Sequence, residues 1–181
     1  YDENTFWSQV HEQTQLHTIR ITQYISTHLN EHFVTAILGM SNLSALYLSS
    51  YLEPPQWKAL ASLFRSNQIP HLETLSFSEY ISNYGIMSIT NMMKRNTTVT
   101  SLYLTPYFLN PVGRREIRAM INGNKHLLHF GLRGSNQYSL ETDYFSHPTL
   151  VTLSIEMPYH NADFKLDNAH LNTTLRGLSI R

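Results

Sequence analysis

A short apolar pattern, apolar-x-x-apolar-x-apolar, recurs seven times along the chain. Successive copies begin 27, 29, 27, 28, 23 and 25 residues apart. Repeats at such a period are the signature of solenoids, in which each unit buries its apolar face against its neighbours. The copies are Leu16/Ile19/Ile21, Leu43/Leu46/Leu48, Leu72/Leu75/Phe77, Val99/Leu102/Leu104, Leu127/Phe130/Leu132, Leu150/Leu153/Ile155 and Leu175/Leu178/Ile180.

The second half of each copy alternates in the manner of a short strand. Its fourth and sixth residues point to one side and are apolar, whereas the fifth points to the other side. Parallel strands need a returning crossover of a dozen or more residues, and the intervals between copies supply one. The pattern therefore predicts seven parallel strands whose inward residues share one core.

Helices are predicted in the first four returns. Four apolar triplets at spacing i, i+3, i+4 mark one helix face each. An asparagine follows three of them (Asn67, Asn96 and Asn124), and we expect it to stop the helix by a left-handed turn or by bonds to nearby backbone. The triplets are Phe33/Ala36/Ile37, Leu60/Leu63/Phe64, Ile89/Met92/Met93 and Ile117/Met120/Ile121.

The returns after Leu132 lack such a triplet. Residues 134–149 and 156–172 are therefore predicted to be extended or irregular, and the curvature is expected to change near Leu132. Phe6 and Val10 form a weaker helical pattern before the first strand. The predicted organisation is a partial repeat or cap helix over 1–15, followed by a repeat domain over 16–181 of about seven units that continues in a longer parent chain.

The pattern LxxLxL at 27–29 residues resembles the leucine-rich repeat, and the stretch from Asn96 to Leu104 resembles its ribonuclease-inhibitor-like subclass. This resemblance implies an α/β horseshoe with a parallel concave sheet and convex helices in its first part. It also implies intracellular protein binding. Cysteine-free versions resemble effectors that intracellular bacteria inject into host cells, where the partner is a host protein.

One departure from the family is systematic. The position three residues after the last strand apolar residue, where the family carries Asn or Cys, is Tyr24, Tyr51, Tyr80 and Tyr107 in the first four repeats. Two interpretations stay open. The tyrosines form a stacked aromatic spine whose hydroxyls reach loop carbonyls, or they form a stripe on one rim of the concave face.

Outward strand residues form the predicted binding surface. Most of them are small or hydroxylic, and tyrosine and arginine stand out because they are frequent interface anchors. Tyr47 and Tyr103 lie two repeats apart with Ser76 between them, a separation of about 10 Å, which suggests a slot between two aromatic side chains. The alternative is that these residues merely suit exposed strands. The predicted partner-binding residues are Arg20, Tyr47, Ser76, Tyr103, His129, Arg133 and Glu156.

Composition narrows the class of partner. Lys and Arg total 13, as do Asp and Glu, so the formal net charge is zero. Proteins that bind nucleic acids or acidic membranes do so through clustered basic residues, and a chain of zero net charge argues against such partners. No apolar run reaches the length of a membrane span. Only 14% of residues are charged, against about 25% in typical domains. We therefore expect a protein partner, bound by apolar and hydroxyl contacts rather than by charge.

One catalytic pattern needs testing. Residues 28–32 read H-x-x-E-H, a pattern that in zinc hydrolases would make His28 and His32 the Zn²⁺ ligands and Glu31 the general base; the alternative is two exposed histidines on a polar helix face. The pattern lacks an obvious third ligand, and Glu116 is the nearest candidate.

The sequence thus favours a non-enzymatic protein-binding module with no cofactor. A sensor or targeting repeat domain of a larger protein is the alternative, and a zinc hydrolase is the remote one.

Overall fold

In a computed structural model, helices separate the first five strands, and three strands follow one another at the end of the described chain. The structure describes residues 7, 9–10, 12–13, 15–22, 31–49, 52–65, 67–106, 108–134, 149–156 and 174–180. The strands are β1 (Thr18–Ile21), β2 (Ala45–Leu48), β3 (Thr74–Ile81), β4 (Ser101–Pro106), β5 (His129–Arg133), β6 (Thr152–Glu156) and β7 (Gly177–Ile180). The helices bounded within these residues are α1 (Glu31–Gly39), α2 (Pro54–Arg65), α3 (Asn83–Met93) and α4 (Pro111–Gly123).

The seven strands form one sheet in chain order, and every neighbouring pair is parallel. This confirms the parallel sheet that the repeat predicts. The register aligns the fifth residue of every repeat across all seven strands, in a line that we call the central row. Its members are Arg20, Tyr47, Ser76, Tyr103, Gly131, Ser154 and Ser179.

Apolar residues of the strands and helices form a single core. The inward residues of β2, Leu46 and Leu48, are at most 1% exposed, and the four predicted helix triplets are at most 2% exposed. These side chains belong to one cluster, so the helices cover one face of the sheet. The opposite face, which carries the central row, is the open sheet face.

Two helix starts are fixed by side-chain caps. The Ser82 hydroxyl accepts a hydrogen bond from the Gly85 N–H at 3.2 Å, and the Asn110 side chain accepts one from the Gly113 N–H at 2.7 Å. Each cap satisfies an N–H group that has no partner inside its helix. Pro111 stands in the first turn of α4, where a missing N–H costs nothing. These caps explain why both helices begin where they do.

Two asparagines, Asn96 after α3 and Asn124 after α4, each connect their own repeat to the preceding one. Asn96 Nδ2 donates to the Phe64 carbonyl at 2.9 Å, and its Oδ1 accepts from the Val99 N–H at 2.8 Å. Asn124 makes the same kind of bonds one repeat later, to the Met93 carbonyl at 2.7 Å and from the Leu127 N–H at 3.1 Å. Both residues are 3% exposed. We call this arrangement the asparagine ladder.

Both predicted ways of ending a helix at asparagine occur: a left-handed turn at Asn67, and side-chain bonds to nearby backbone at Asn96 and Asn124. Asn67 has a φ of 51° and is the only non-glycine residue with positive φ in the described part of the chain. Asn124, by contrast, is extended, with φ −92° and ψ 108°. At Asn96 and Asn124 the side chain, rather than a left-handed backbone, closes the turn, because its oxygen accepts from the backbone two or three residues ahead.

Several expectations fall outside the described residues. They include the irregular returns over 135–148 and 157–173, and Tyr24, Tyr51 and Tyr107; the side chain of Tyr80 is likewise not described. Before β1, Trp7 is helical and 4% exposed, and its ring meets that of Phe33 edge-on with centroids 4.9 Å apart. Val10, one of the two residues of the weak apolar pattern, is helical and packs against the core, whereas Phe6 lies outside the described residues.

Candidate functional site

A shallow groove of about 400 Å³ crosses the open sheet face. It runs along the central row from β2 to β6, so five successive repeats contribute to its lining. We call it the sheet groove. It is lined by Tyr47, Ser76, Ser78, Tyr103, Leu104, Thr105, Gly131, Leu132, Arg133, Ser154 and Glu156.

One end of the sheet groove is formed by a stacked pair. Arg20 and Tyr47 are register partners on β1 and β2, and the Arg20 guanidinium carbon lies 4.7 Å from the centroid of the Tyr47 ring. Such a cation–π contact contributes about 0.5–1 kcal/mol at an exposed site. The contact restrains the Tyr47 ring and holds a positive charge beside it.

The middle of the groove depends on a glycine. A Cβ atom at Gly131 would collide with Cδ1 of Tyr103, so any other residue would displace this ring. Tyr103 therefore leans over β5, while 41% of it stays exposed. The floor between Tyr47 and Tyr103 is Ser76, which pairs in register with both. Ser76 thus lies between Tyr47 and Tyr103 in the central row, and the Tyr103 ring is tilted toward Gly131.

The other end of the groove carries an exposed ion pair. Arg133 and Glu156 are register partners on β5 and β6, and their Nε and Oε2 atoms are 3.4 Å apart. His129 lies to one side of the groove lining, half-buried, with Nδ1 2.8 Å from the Thr152 hydroxyl.

Five of the seven predicted partner-binding residues therefore line the groove. Arg20 joins them through Tyr47, and His129 lies beside the groove without lining it. Sequence reasoning placed Gly131 and Ser154 in the outward row but did not select them. A lone glycine in a row of hydroxyl and aromatic residues was the available signal for Gly131, because glycine is common where another group approaches the backbone closely.

The residues of the zinc pattern lie outside the part of the chain in which side chains are described, so the zinc alternative stays a prediction. His28 and the side chains of Glu31 and His32 lie outside the described residues. The candidate third ligand, Glu116, instead accepts a hydrogen bond from Lys94 Nζ at 2.8 Å. Within the described ranges, no group of three or more His, Asp or Glu residues is placed to hold a metal ion.

The Lys94–Glu116 pair is predicted to make the free energy of unfolding depend on pH. The hydrogen bond from Lys94 lowers the pKa of the Glu116 carboxyl, against an opposing effect of its burial. Because this pKa is lowered in the folded state, ionised Glu116 stabilises the protein. The stabilisation is complete above the ordinary glutamate pKa of about 4.3 and is lost as the pH falls through the lower, folded-state pKa. We expect Glu116→Gln to reduce the free energy of unfolding by about 0.5 kcal/mol at neutral pH, since exposed pairs contribute little.

Chemical denaturation at neutral pH and near pH 3 checks this expectation. The difference between Glu116→Gln and the unmodified protein should shrink as the pH falls through the lowered pKa of Glu116, because the carboxyl then becomes protonated in the folded state as well as in the unfolded one. An equal loss at both pH values would show that the charge of Glu116 is not responsible.

Comparisons with known proteins bear on the fold. No protein-family model matches the chain, and no curated protein sequence matches it. Among solved structures, leiomodin-1 actin-binding site 2 (ABS2) is similar, with 19% identity and a TM-score of 0.58 over 73% of this chain and 78% of that one. The sequential parallel sheet and the intervening helices are consistent with a leucine-rich-repeat-like solenoid. No helix among the described residues has the length and apolar character to cross a membrane.

Proposed function

We propose that this chain is a non-enzymatic protein-binding module that holds its partner on the open sheet face. The observation that carries the proposal is the alignment of the central row, which places Arg20, Tyr47, Ser76 and Tyr103 side by side on β1 to β4. The proposal includes a horseshoe curvature in which this face is concave and the helices are convex.

The chemistry of the row supports protein recognition. Tyrosine and arginine carry much of the binding energy at protein interfaces, and Tyr103 and Arg20 are exposed. Serine and threonine hydroxyls around them can donate or accept hydrogen bonds. Solenoids commonly bind through the extended surface that their stacked repeats create. Leiomodin-1 ABS2 adds a precedent, since a protein of similar fold is described by its actin binding.

Capture of a partner from lysates of the source organism and of host cells tests the proposal. Immobilised protein should enrich at least one protein, and the double variant Tyr47→Ala/Tyr103→Ala should reduce that capture at least tenfold, because both rings leave the face. Quantitative mass spectrometry provides the measurement. The expected magnitude follows from the 1–2 kcal/mol that each tyrosine anchor typically contributes.

The matched control removes a tyrosine from the helical side. Tyr84 lies on α3 and is 48% exposed, outside the sheet groove. Tyr84→Ala should leave capture unchanged, and all variants should show the same thermal unfolding midpoint within a few degrees. Equal capture by the double variant and the unmodified protein would overturn the proposal.

The resemblance of these repeats to leucine-rich repeats supports two more specific versions of the proposal. In one, the chain is part of an intracellular bacterial effector and its partner is a host protein. In the other, it is the sensor or targeting domain of a larger protein. The identity of the captured partner separates them, because the first requires a protein from the host and the second a protein or segment from the same organism.

A further inference from the structure

Basic residues are concentrated in one part of this electrically neutral chain. Residues 94–125 contain six of its 13 lysines and arginines but only one of its 13 acidic residues, Glu116, which gives this stretch a formal charge of +5. The rest of the chain offsets it with seven basic and twelve acidic residues. Zero net charge therefore conceals a local positive surface. The six basic residues are Lys94, Arg95, Arg114, Arg115, Arg118 and Lys125.

Most of these residues lie on the helical side of the sheet. Lys94 caps the end of α3, Arg95 follows it, and the three other arginines lie on α4, which packs beside α3. Along α2, α3 and α4 the only acidic residue is Glu116. Its carboxylate accepts a hydrogen bond from Lys94 Nζ at 2.8 Å, and its pKa is lowered mainly by this bond and less by the charge of Arg115. One carboxylate thus serves more than one cation, and the surface stays positive.

The stability of α4 does not account for its arginines. A helix dipole favours acidic side chains in the first turn and basic ones in the last turn, and α4 has neither. Its arginines lie instead between its fourth and eighth residues, and Arg114 and Arg118 are one turn apart, where like charges destabilise a helix. Arg115 is exposed. An anionic partner in solution explains such a residue better than the fold does.

Exposed apolar side chains adjoin the charges. Met87 is 43% exposed and lies two turns before Lys94, on the side of α3 from which Lys94 reaches Glu116. Val112 is 40% exposed and lies one turn before Glu116 on α4. Tyr84, by contrast, lines a hollow that α3 shares with α2. We call the mixed surface between α3 and α4 the helical strip, and it consists of Met87, Lys94, Arg95, Val112, Arg115 and Glu116.

This mixture favours an acidic protein segment over other anionic partners. Duplex nucleic acid presents closely spaced phosphates and would leave Met87 and Val112 without apolar contacts. Single strands bind by stacking on aromatic rings, which the helical strip lacks. Membrane surfaces take up apolar side chains that project into the headgroup layer, whereas Met87 and Val112 are each less than half exposed. A protein segment supplies apolar side chains together with carboxylates, which arginine binds through paired hydrogen bonds.

We infer that the helical strip binds an acidic, partly apolar segment of a protein partner. Carboxylates of the segment pair with Arg95 and Arg115, and an apolar side chain packs against Met87 and Val112. Glu116 opposes this binding, because it repels the segment and occupies Lys94. The helical strip lies on the other side of the sheet from the open sheet face, so this inference goes beyond the proposed function and does not depend on it.

A titration with defined peptides tests the inference. The probe is a blocked synthetic peptide of four glutamate-glutamate-leucine triplets. Isothermal titration calorimetry at about 50 mM salt should give saturable binding with a Kd on the order of 100 μM. The same peptide with glutamine in place of every glutamate should bind at least tenfold more weakly, and the form with alanine in place of every leucine about threefold more weakly. Raising the salt to about 0.5 M should weaken binding at least fivefold, because the charges are then screened.

Variants of the protein assign the contacts. Arg95→Gln and Arg115→Gln should each weaken binding of the glutamate peptide about threefold, and the double variant about tenfold. Glu116→Gln should strengthen binding about twofold or more, because it removes the opposing charge and frees Lys94. A residue that served only the fold would not produce such a gain. Arg20→Gln is the matched control, since it removes the same charge from the open sheet face, and it should leave binding unchanged.

Three results would overturn the inference. They are absence of saturable binding at about 1 mM peptide, equal binding of the glutamine or alanine peptide, and equal loss on Arg20→Gln and Arg115→Gln. Random-sequence duplex DNA and vesicles of phosphatidylcholine and phosphatidylserine in equal parts are the competing probes. If either bound through Arg115 more tightly than the peptide, the partner would be a nucleic acid or a membrane and the inference would be wrong. None of these variants alters Tyr47 or Tyr103, so capture of a partner through the open sheet face succeeds or fails independently.

Discussion

Replacing Asn96 by alanine should lower the free energy of unfolding by about 3–5 kcal/mol. The substitution removes the donor to the Phe64 carbonyl and the acceptor for the Val99 N–H, both of which are buried. A buried polar group without a partner costs about 1–3 kcal/mol, and the Thr98 N–H loses its acceptor as well. Since whole domains are stable by about 5–15 kcal/mol, this single change is expected to bring the protein close to unfolding.

Asn67 provides the matched control for this prediction. It follows α2 as Asn96 follows α3, but among the described residues its side chain bonds only to Thr97, at an exposed position. Its φ of 51° suits glycine. Asn67→Gly should therefore change the free energy of unfolding by less than about 1 kcal/mol, measured by urea denaturation of both variants. Similar losses at the two positions would contradict a special role for the asparagine ladder.

Gly85→Ala should reduce the free energy of unfolding by about 2 kcal/mol. A Cβ atom there would lie 2.6 Å from Cγ2 of Ile81 and 2.7 Å from Cε2 of Trp57. The Trp57 ring is 4% exposed and packs against Phe77 with centroids 5.1 Å apart, so it has little room to move. Overpacking of this kind costs about 1–3 kcal/mol and exceeds the gain in helix propensity.

A second glycine and a second substitution make the test specific. Gly123 ends α4, and a Cβ atom there meets nothing within 4 Å. Gly123→Ala should be neutral or stabilising by up to about 0.5 kcal/mol, since alanine restricts the unfolded chain. In the double variant Gly85→Ala/Trp57→Phe, the smaller ring should make the combined loss less than additive. Strict additivity would mean that contact with Trp57 does not cause the loss.

The periodic features of this fold were predictable because each one repeats. The spacing of Leu46 and Leu48, copied in every unit, specifies both the strand and its buried side. The i, i+3, i+4 triplets specify the helix faces in the same way. Register follows from the stack, because a shift by one residue would turn Tyr47 inward and Leu46 outward. The central row could therefore be written down from the sequence.

Features that depend on one particular neighbour were not predictable. Whether Asn96 stops a helix by its backbone or its side chain depends on the Phe64 carbonyl of the preceding repeat, which no local pattern encodes. The tilt of Tyr103 is likewise set by the missing side chain at Gly131, on the next strand. The buried position of Trp7 could not be predicted from the repeat pattern, because a partial repeat need not follow the spacing of the others.

The asparagine ladder also determines how this chain could be modified. Asn96 begins the tripeptide Asn96-Thr97-Thr98, which matches the acceptor sequence for N-linked glycosylation. The nitrogen that would carry the sugar is the Nδ2 atom that donates to the Phe64 carbonyl, in a residue only 3% exposed. A glycan at Asn96 and a closed ladder therefore exclude one another. Any transferase would have to reach the site before the fourth repeat docks on the third, and the sugar would then prevent that docking.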